Sequence, residues 1–235
     1  MLNKTAIASS AIITGSSSGI GLATAKHLLE CGWRVQGWDR ERAKIEHANF
    51  EAVAIDLMNA SALSTLLQAT ASRTHGAFIH AAGQMYTGSL ADLKIADGAA
   101  MWHLHVEVAT QIAQALTPSM QTAKIGRIVL LGSRVANGMA LRSQYAAAKA
   151  ALIASARSWA AELAPHGITV NVVSPAATQT AMLADPSRTS SAPKLPPIGR
   201  YIEPTEVASL IAYLLTPEAA AITGQNLQIC GGSSL

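Results

Sequence analysis

Residues 6–21, AIASSAIITGSSSGIG, run from an apolar stretch into a loop of glycines and serines. The apolar end predicts a strand, the glycines a tight turn, and the residues that follow a helix. Gly15, Gly19 and Gly21 stand at the spacing G-x3-G-x-G. That spacing suits a backbone that must approach a pyrophosphate and start a helix hard against a strand. Ser16, Ser17 and Ser18 supply hydroxyls that can cap the helix or donate to phosphate, and Ile20 belongs with the loop to the expected cofactor site. Such a loop is a weak signal alone, because glycine-serine turns are common at strand ends.

The chain beyond it repeats the strand–helix alternation. LATAKHLLE places Leu22, Ala25, Leu28 and Leu29 on one helix face, and Gly32 is a natural stop. WRVQGWD then reads as a second strand closing at Asp39. A carboxylate at that strand end faces the ribose hydroxyls of a bound dinucleotide and repels a 2′-phosphate, so NAD is expected over NADP. Arg40 follows at once and could pair with such a phosphate. FEAVAID is a third strand; Asp56 either meets the adenine amino group or caps the helix in LMNASALSTLLQATA. GAFIH is a fourth, and the small residues Ala81, Ala82 and Gly83 after it permit close approach of backbone to cofactor.

Leu90 to Met120 is helical in composition. His103, His105 and Glu107 invite a metal reading, but i, i+2 residues do not share a helix face and no third ligand follows at a typical spacing, so no metal is expected. His105 is instead a packed residue or a participant in a proton path. GRIVLLG, residues 126–132, has the continuous apolar character of a central parallel strand, with Ser133 at its carboxyl end. A helix over 145–163, a strand GITVNVVS, a helix PTEVASLIAYLL and a last strand in AITGQNLQIC complete the chain. Between them, residues 181–200 hold DPSRTSSAPKLPP, whose prolines and serines predict a loop over the substrate. Seven strands alternating with six helical segments make an α/β chain: a doubly wound, mostly parallel seven-stranded sheet with helices on both faces, a three-layer sandwich in one domain over 1–235.

Composition narrows the classes. Of 235 residues only 13% are charged while 50% are hydrophobic, which suggests surface covered by a homodimer or homotetramer. The net charge of +3 is scattered, with no basic stripe, so no nucleic-acid partner is expected. No apolar run is long enough to span a membrane and no cleavable leader precedes the first strand, which points to the cytoplasm. Cys31 and Cys230 read as buried thiols of a reducing compartment.

The chemistry concentrates in 133–149, SRVANGMALRSQYAAAK. Tyr145 and Lys149 are one helical turn apart, so the ammonium favours the phenolate and lowers a pKa that is otherwise near 10. Ser133 can hold a substrate oxygen. With a nicotinamide hydride, these three groups suffice to interconvert a carbonyl and an alcohol, Tyr145 moving the proton.

Taken together, the chain resembles the classical short-chain dehydrogenase/reductase family over nearly all its length. Thr14–Gly21 matches the TGxxxGIG cofactor loop and Tyr145–Lys149 the YxxxK motif; Asp39 sits at the acidic position associated with NAD, and Asp56-Leu57 resembles the adenine-side element. Ser133 corresponds to the substrate-orienting serine. Pro175, Ala176, Thr178 and Thr180 fall in the segment resembling PGxxxT, which meets the nicotinamide carboxamide. The resemblance implies a Rossmann fold and an NAD-dependent alcohol dehydrogenase or ketone reductase acting on a small molecule. A 3-oxoacyl reductase is the alternative; those usually prefer NADP. A non-catalytic dinucleotide-binding protein is a further one.

Four departures from the family's pattern stand out. Ala81 replaces the asparagine of NAG, and His105, thirteen residues before Pro118, stands where a relay asparagine is usual; Ala176 and Cys230 replace a glycine and an aspartate. Gln84, Met85, Met139 and Met182 are expected to line the substrate pocket, with Arg134, Arg142 and Arg188 at its border. Those arginines would suit an anionic substrate, although surface solvation accounts for each as well.

Overall fold

The computed structural model describes residues 9–71, 73–183 and 194–235. Its first unit is β1 (Ser10–Thr14), a turn through Gly15 at φ +71° and Gly19 at φ +52°, and α1 (Gly19–Glu30). A Cβ on Gly21 would lie 2.1 Å from Gly15 O, so the loop closes only because that position has no side chain. Residues 6–8 of the anticipated first strand lie outside the described residues. Cys31, anticipated as buried, is exposed because it caps the C-terminus of α1, and Cys230 is half-buried.

The remaining elements follow in order: β2 (Arg34–Asp39), β3 (Phe50–Ala54), α2 (Ala60–Ala71), β4 (Ala77–His80), α3 (Ile95–Trp102), α4 (Val108–Ala123), β5 (Gly126–Leu131), α5 (Ser143–Leu163), β6 (Ile168–Pro175), α6 (Pro204–Leu214) and β7 (Asn226–Ile229). Asn59, not Asp56, caps α2: its Oδ1 accepts Ala62 N at 3.0 Å, while Asp56 Oδ1 accepts Met58 N in the turn before the helix. The stretch from Leu90 to Met120, helical in composition, holds more than one element. Residues His103–Glu107 form a single π turn between α3 and α4, in which Val108 N reaches back five residues to His103 O.

The strands order as β3-β2-β1-β4-β5-β6-β7, and every pairing is parallel. Strand alternation divides the core into two layers. Ile12, Phe78, Ile128 and Val170 pack with Leu63 of α2, Ile112 of α4 and Leu152 of α5. Ala11, Ile13, Ile79 and Val129 face the other way, against Leu28 of α1 and Ile211 of α6. This is the doubly wound sandwich that the sequence predicts. Strand order reverses between β1 and β4, and at such a point the connections diverge and a crevice opens beyond the carboxyl ends of the strands. No described helix is long and apolar enough to cross a membrane.

Candidate active site

A cavity of about 950 Å³ occupies that crevice, lined by the glycine loop, the ends of β1, β4, β5 and β6, the start of α5, and Lys194, Leu195 and Pro197. Gly15, Ser18, Gly19, Ile20 and Gly21 lie at one end, with Asp39, Arg40, Asp56 and Leu57 beside them. Ser133, Tyr145, Lys149 and His105 lie at the other; Ala81, Ala82, Gly83, Pro175, Ala176, Thr178 and Thr180 run between. The anticipated substrate residues Gln84, Met85, Arg134, Met139, Arg142 and Met182 line the same cavity. Arg188 and residues 184–193 of the anticipated loop lie outside the described residues. Glycine-loop amides opening a helix, with small residues along the floor, suit a dinucleotide.

Ser17 does not line the cavity. Its amide donates to Asp39 Oδ2 at 2.8 Å and its hydroxyl to Glu41 O at 3.1 Å, so it ties the glycine loop to the end of β2. The other oxygen of Asp39 accepts Glu41 N at 2.9 Å. Both carboxylate oxygens are thus engaged by backbone, while Arg40 beside them is exposed, with Glu41 at 3.7 Å. Ser18 stands at the N-cap of α1 without a side-chain cap bond.

Helical geometry brings Tyr145 and Lys149 to one face of α5, where both are buried. The Lys149 ammonium donates to Leu131 O at 2.7 Å and lies 5.7 Å from the centroid of the Tyr145 ring. Burial pushes the Lys149 pKa down to about 7. Ser133 Oγ accepts Val135 N at 3.2 Å and starts the short turn Arg134–Asn137. Arg134 Nη1 donates to Ser233 O at 3.2 Å, anchoring the C-terminal turn against the cavity, and Met85 and Met139 pack on Met101, Val135 and Tyr145.

His105 is 1% exposed and packs edge-on to Tyr145, with ring centroids 5.6 Å apart. Its Nε2 lies 2.8 Å from Gln84 O; a carbonyl only accepts, so Nε2 carries the proton and Nδ1 is an acceptor. That Nδ1 is buried without a partner among the described residues. Burial, helped by the nearby Lys149 ammonium, holds the ring neutral well below its usual pKa. A Cβ on Gly83 would meet His105 Cε1 at 2.7 Å, so the glycine makes room for the imidazole. His103, two residues away, pairs instead with Glu107 at 2.6 Å at the surface.

The reading of single residues did not identify His80. Its ring is fully buried at the end of β4, with Nδ1 3.0 Å from Thr14 Oγ1 and Nε2 3.1 Å from Leu104 O. A histidine ending an otherwise apolar buried strand was the available signal.

Comparisons with known proteins identify the family of the chain. Residues 15–234 match the family model described as enoyl-(acyl carrier protein) reductase. A 3-oxoacyl-(acyl-carrier-protein) reductase of Vibrio cholerae is 32% identical over 234 residues, covering 94% of this chain and 96% of that protein. The monensin polyketide synthase putative ketoacyl reductase of Streptomyces virginiae is 32% identical over 250 residues, covering 94% and 95%. A solved structure described as a short chain dehydrogenase/reductase family protein superposes with a TM-score of 0.87 at 28% identity, covering 96% of this chain and 97% of that one.

These relatives overturn the expectation of NAD: 3-oxoacyl and ketoacyl reductases of this kind prefer NADPH. At that strand end the oxygens of Asp39 accept Ser17 N and Glu41 N, and the exposed side chains of Arg40 and Glu41 stand beside it. With the match running almost from the glycine loop to the C-terminus, the chain belongs to the classical short-chain dehydrogenase/reductase family, whose chemistry is hydride transfer between a dinucleotide cofactor and an alcohol or carbonyl carbon.

Proposed function

We propose that this protein reduces the 3-keto group of a 3-oxoacyl substrate with NADPH. The observation that carries the reading is one cavity of about 950 Å³ holding the glycine loop at one end and Ser133, Tyr145 and Lys149 at the other. The substrate class is supported by the similarity to 3-oxoacyl and ketoacyl reductases. Gly15 to Gly21 would cradle the pyrophosphate, Lys149 and Asp56 the two ribose-side ends, and Pro175 to Thr180 the nicotinamide. Arg40, rather than Asp39, would pair with the 2′-phosphate.

When bound, the cofactor supplies the hydride that the keto carbon accepts. The Ser133 hydroxyl, already accepting Val135 N, turns its proton to the keto oxygen and orients it. Tyr145 gives its phenolic proton to that oxygen, and the Lys149 ammonium stabilises the phenolate left behind. His105 replaces the usual asparagine: its partnerless Nδ1 would hold a proton-carrying water on the path that restores Tyr145. The products are the 3-hydroxyacyl compound and NADP⁺.

The test is NADPH oxidation with acetoacetyl-CoA, run beside NADH. Tyr145→Phe should lose about 10²–10⁴-fold in kcat while keeping NADPH affinity. Arg40→Ala should weaken NADPH at least about tenfold and leave NADH unchanged. No turnover by the wild type, or full turnover by Tyr145→Phe, would sink the reading.

A further inference from the structure

His80 sits at the junction of three elements, and each hydrogen bond it makes has a defined direction. Leu104 O only accepts, so His80 Nε2 is the donor there, at 3.1 Å. Nδ1 is then bare and accepts from the Thr14 hydroxyl at 3.0 Å. Thr14 Oγ1 in turn accepts Ala81 N at 3.1 Å and Ala82 N at 3.2 Å. The chain of bonds therefore runs from the backbone after β4, through the end of β1, through the imidazole, and into the π turn. Parallel pairing of Thr14 with His80 in the sheet brings the first two links together.

The last link is explained by the turn itself. In an α-helix Val108 N would donate four residues back, to Leu104 O; here it donates to His103 O. The His80 ring supplies a side-chain donor to Leu104 O. The residue after Leu104 is His105, whose ring must be held against both Gln84 O and the edge of Tyr145. Burial keeps the His80 ring neutral, with its pKa down at about 3, and the Leu104 carbonyl, which only accepts, holds its one proton on Nε2.

We propose that His80 is a positioning residue for the reaction: an imidazole strut that fixes the π turn against the ends of β1 and β4 and so sets His105 against Tyr145. The inference rests on the role proposed above for His105. Ala81 beside it packs into the opposite core layer, so at this strand end the ring of His80 makes the bridge from Thr14 to Leu104.

Two polar replacements separate the ends of the ring. The amide oxygen of His80→Asn falls near Nδ1 and keeps the Thr14 bond, but its side chain is too short for Leu104 O. The longer His80→Gln places an amide nitrogen near Nε2 and keeps that bond. In full-length protein labelled with ¹⁵N-histidine, His80→Asn should shift the His105 imidazole signals, whereas His80→Gln should leave them in place. With NADPH and acetoacetyl-CoA, His80→Asn should lower kcat about tenfold at KM values within about twofold, and His80→Gln should stay within about threefold of wild type. In a His105→Leu background, the further loss from His80→Asn should be under about twofold. His105 signals unchanged by His80→Asn would overturn the inference whatever the rates, and so would an equal kcat loss in both backgrounds. Full activity of His105→Leu would instead overturn the role of His105, without altering what the spectra say of His80.

Discussion

Replacing His80 by glutamine should flatten the acid limb of the protein's stability, and the size of the effect follows from burial. His80 titrates at about 3 in the folded protein, chiefly because burial disfavours its charged form, against an ordinary value of 6.5. Above pH 6.5 the ring is neutral in both folded and unfolded chains, and its full contribution is present. As pH falls below 6.5 the unfolded chain takes a proton that the folded one refuses, so stability is lost at up to about 1.4 kcal/mol per pH unit until the folded ring titrates. Between about pH 7.5 and 5.0 the loss assigned to this one ring is about 2 kcal/mol. Lys149, with its folded value at about 7, titrates in this range in both proteins alike, so its contribution cancels in the difference between them. The assay is urea unfolding followed by tryptophan fluorescence, Trp38 being fully buried. The difference in unfolding free energy between the two pH values should be smaller in His80→Gln than in wild type by about 2 kcal/mol. Equal acid losses in the two proteins would refute the reasoning.

Two other substitutions test the site directly. Gly21→Ala puts a Cβ 2.1 Å from Gly15 O, so the loop must open; a loss of about 1–3 kcal/mol of stability and at least a tenfold weaker binding of NADPH are expected, read by thermal unfolding and fluorescence titration. Unchanged affinity would mean that the loop does not hold the cofactor. At position 105, leucine should slow turnover with acetoacetyl-CoA about 10–100-fold, while asparagine, which restores an acceptor, should recover most of it. Equal rates for histidine, asparagine and leucine would remove His105 from the proton path.

The architecture was readable because central parallel strands must be apolar on both faces, and AFIH, GRIVLL and ITVNVVSP have that composition between glycine and proline punctuation. The glycine loop was equally readable, since 2.1 Å of clearance leaves Gly21 no alternative. The π turn was not. HLHVE has ordinary helical composition, and whether an amide reaches four or five residues back depends on a donor arriving from β4, a contact between residues 80 and 104. Asp39 misled for a related reason. A carboxylate at a strand end reads as a ribose ligand, yet here its oxygens are claimed by Ser17 N, from a loop 22 positions earlier, and by Glu41 N, and this depends on backbone geometry that no side-chain pattern reports.

The two histidines also limit which groups can shape the pH dependence of turnover. Both rings are buried, both give Nε2–H to a backbone carbonyl, and both are held neutral far below pH 6.5. A relay built on His105 therefore passes protons through a neutral ring and contributes no ionisation of its own near pH 6.5, where an ordinary histidine titrates. Lys149 is the neighbouring group whose charge changes near neutrality, at about 7. Reduction requires its ammonium, so kcat/KM should fall as pH rises through an apparent value near 7 that belongs to the Tyr145–Lys149 pair. It should show no inflection near pH 6.5, where an ordinary histidine titrates. In Lys149→Met the fall near 7 should disappear together with most of the activity. An acid-limb inflection that His105→Asn abolishes would show instead that the ring does titrate during turnover, and a neutral relay would have to be abandoned.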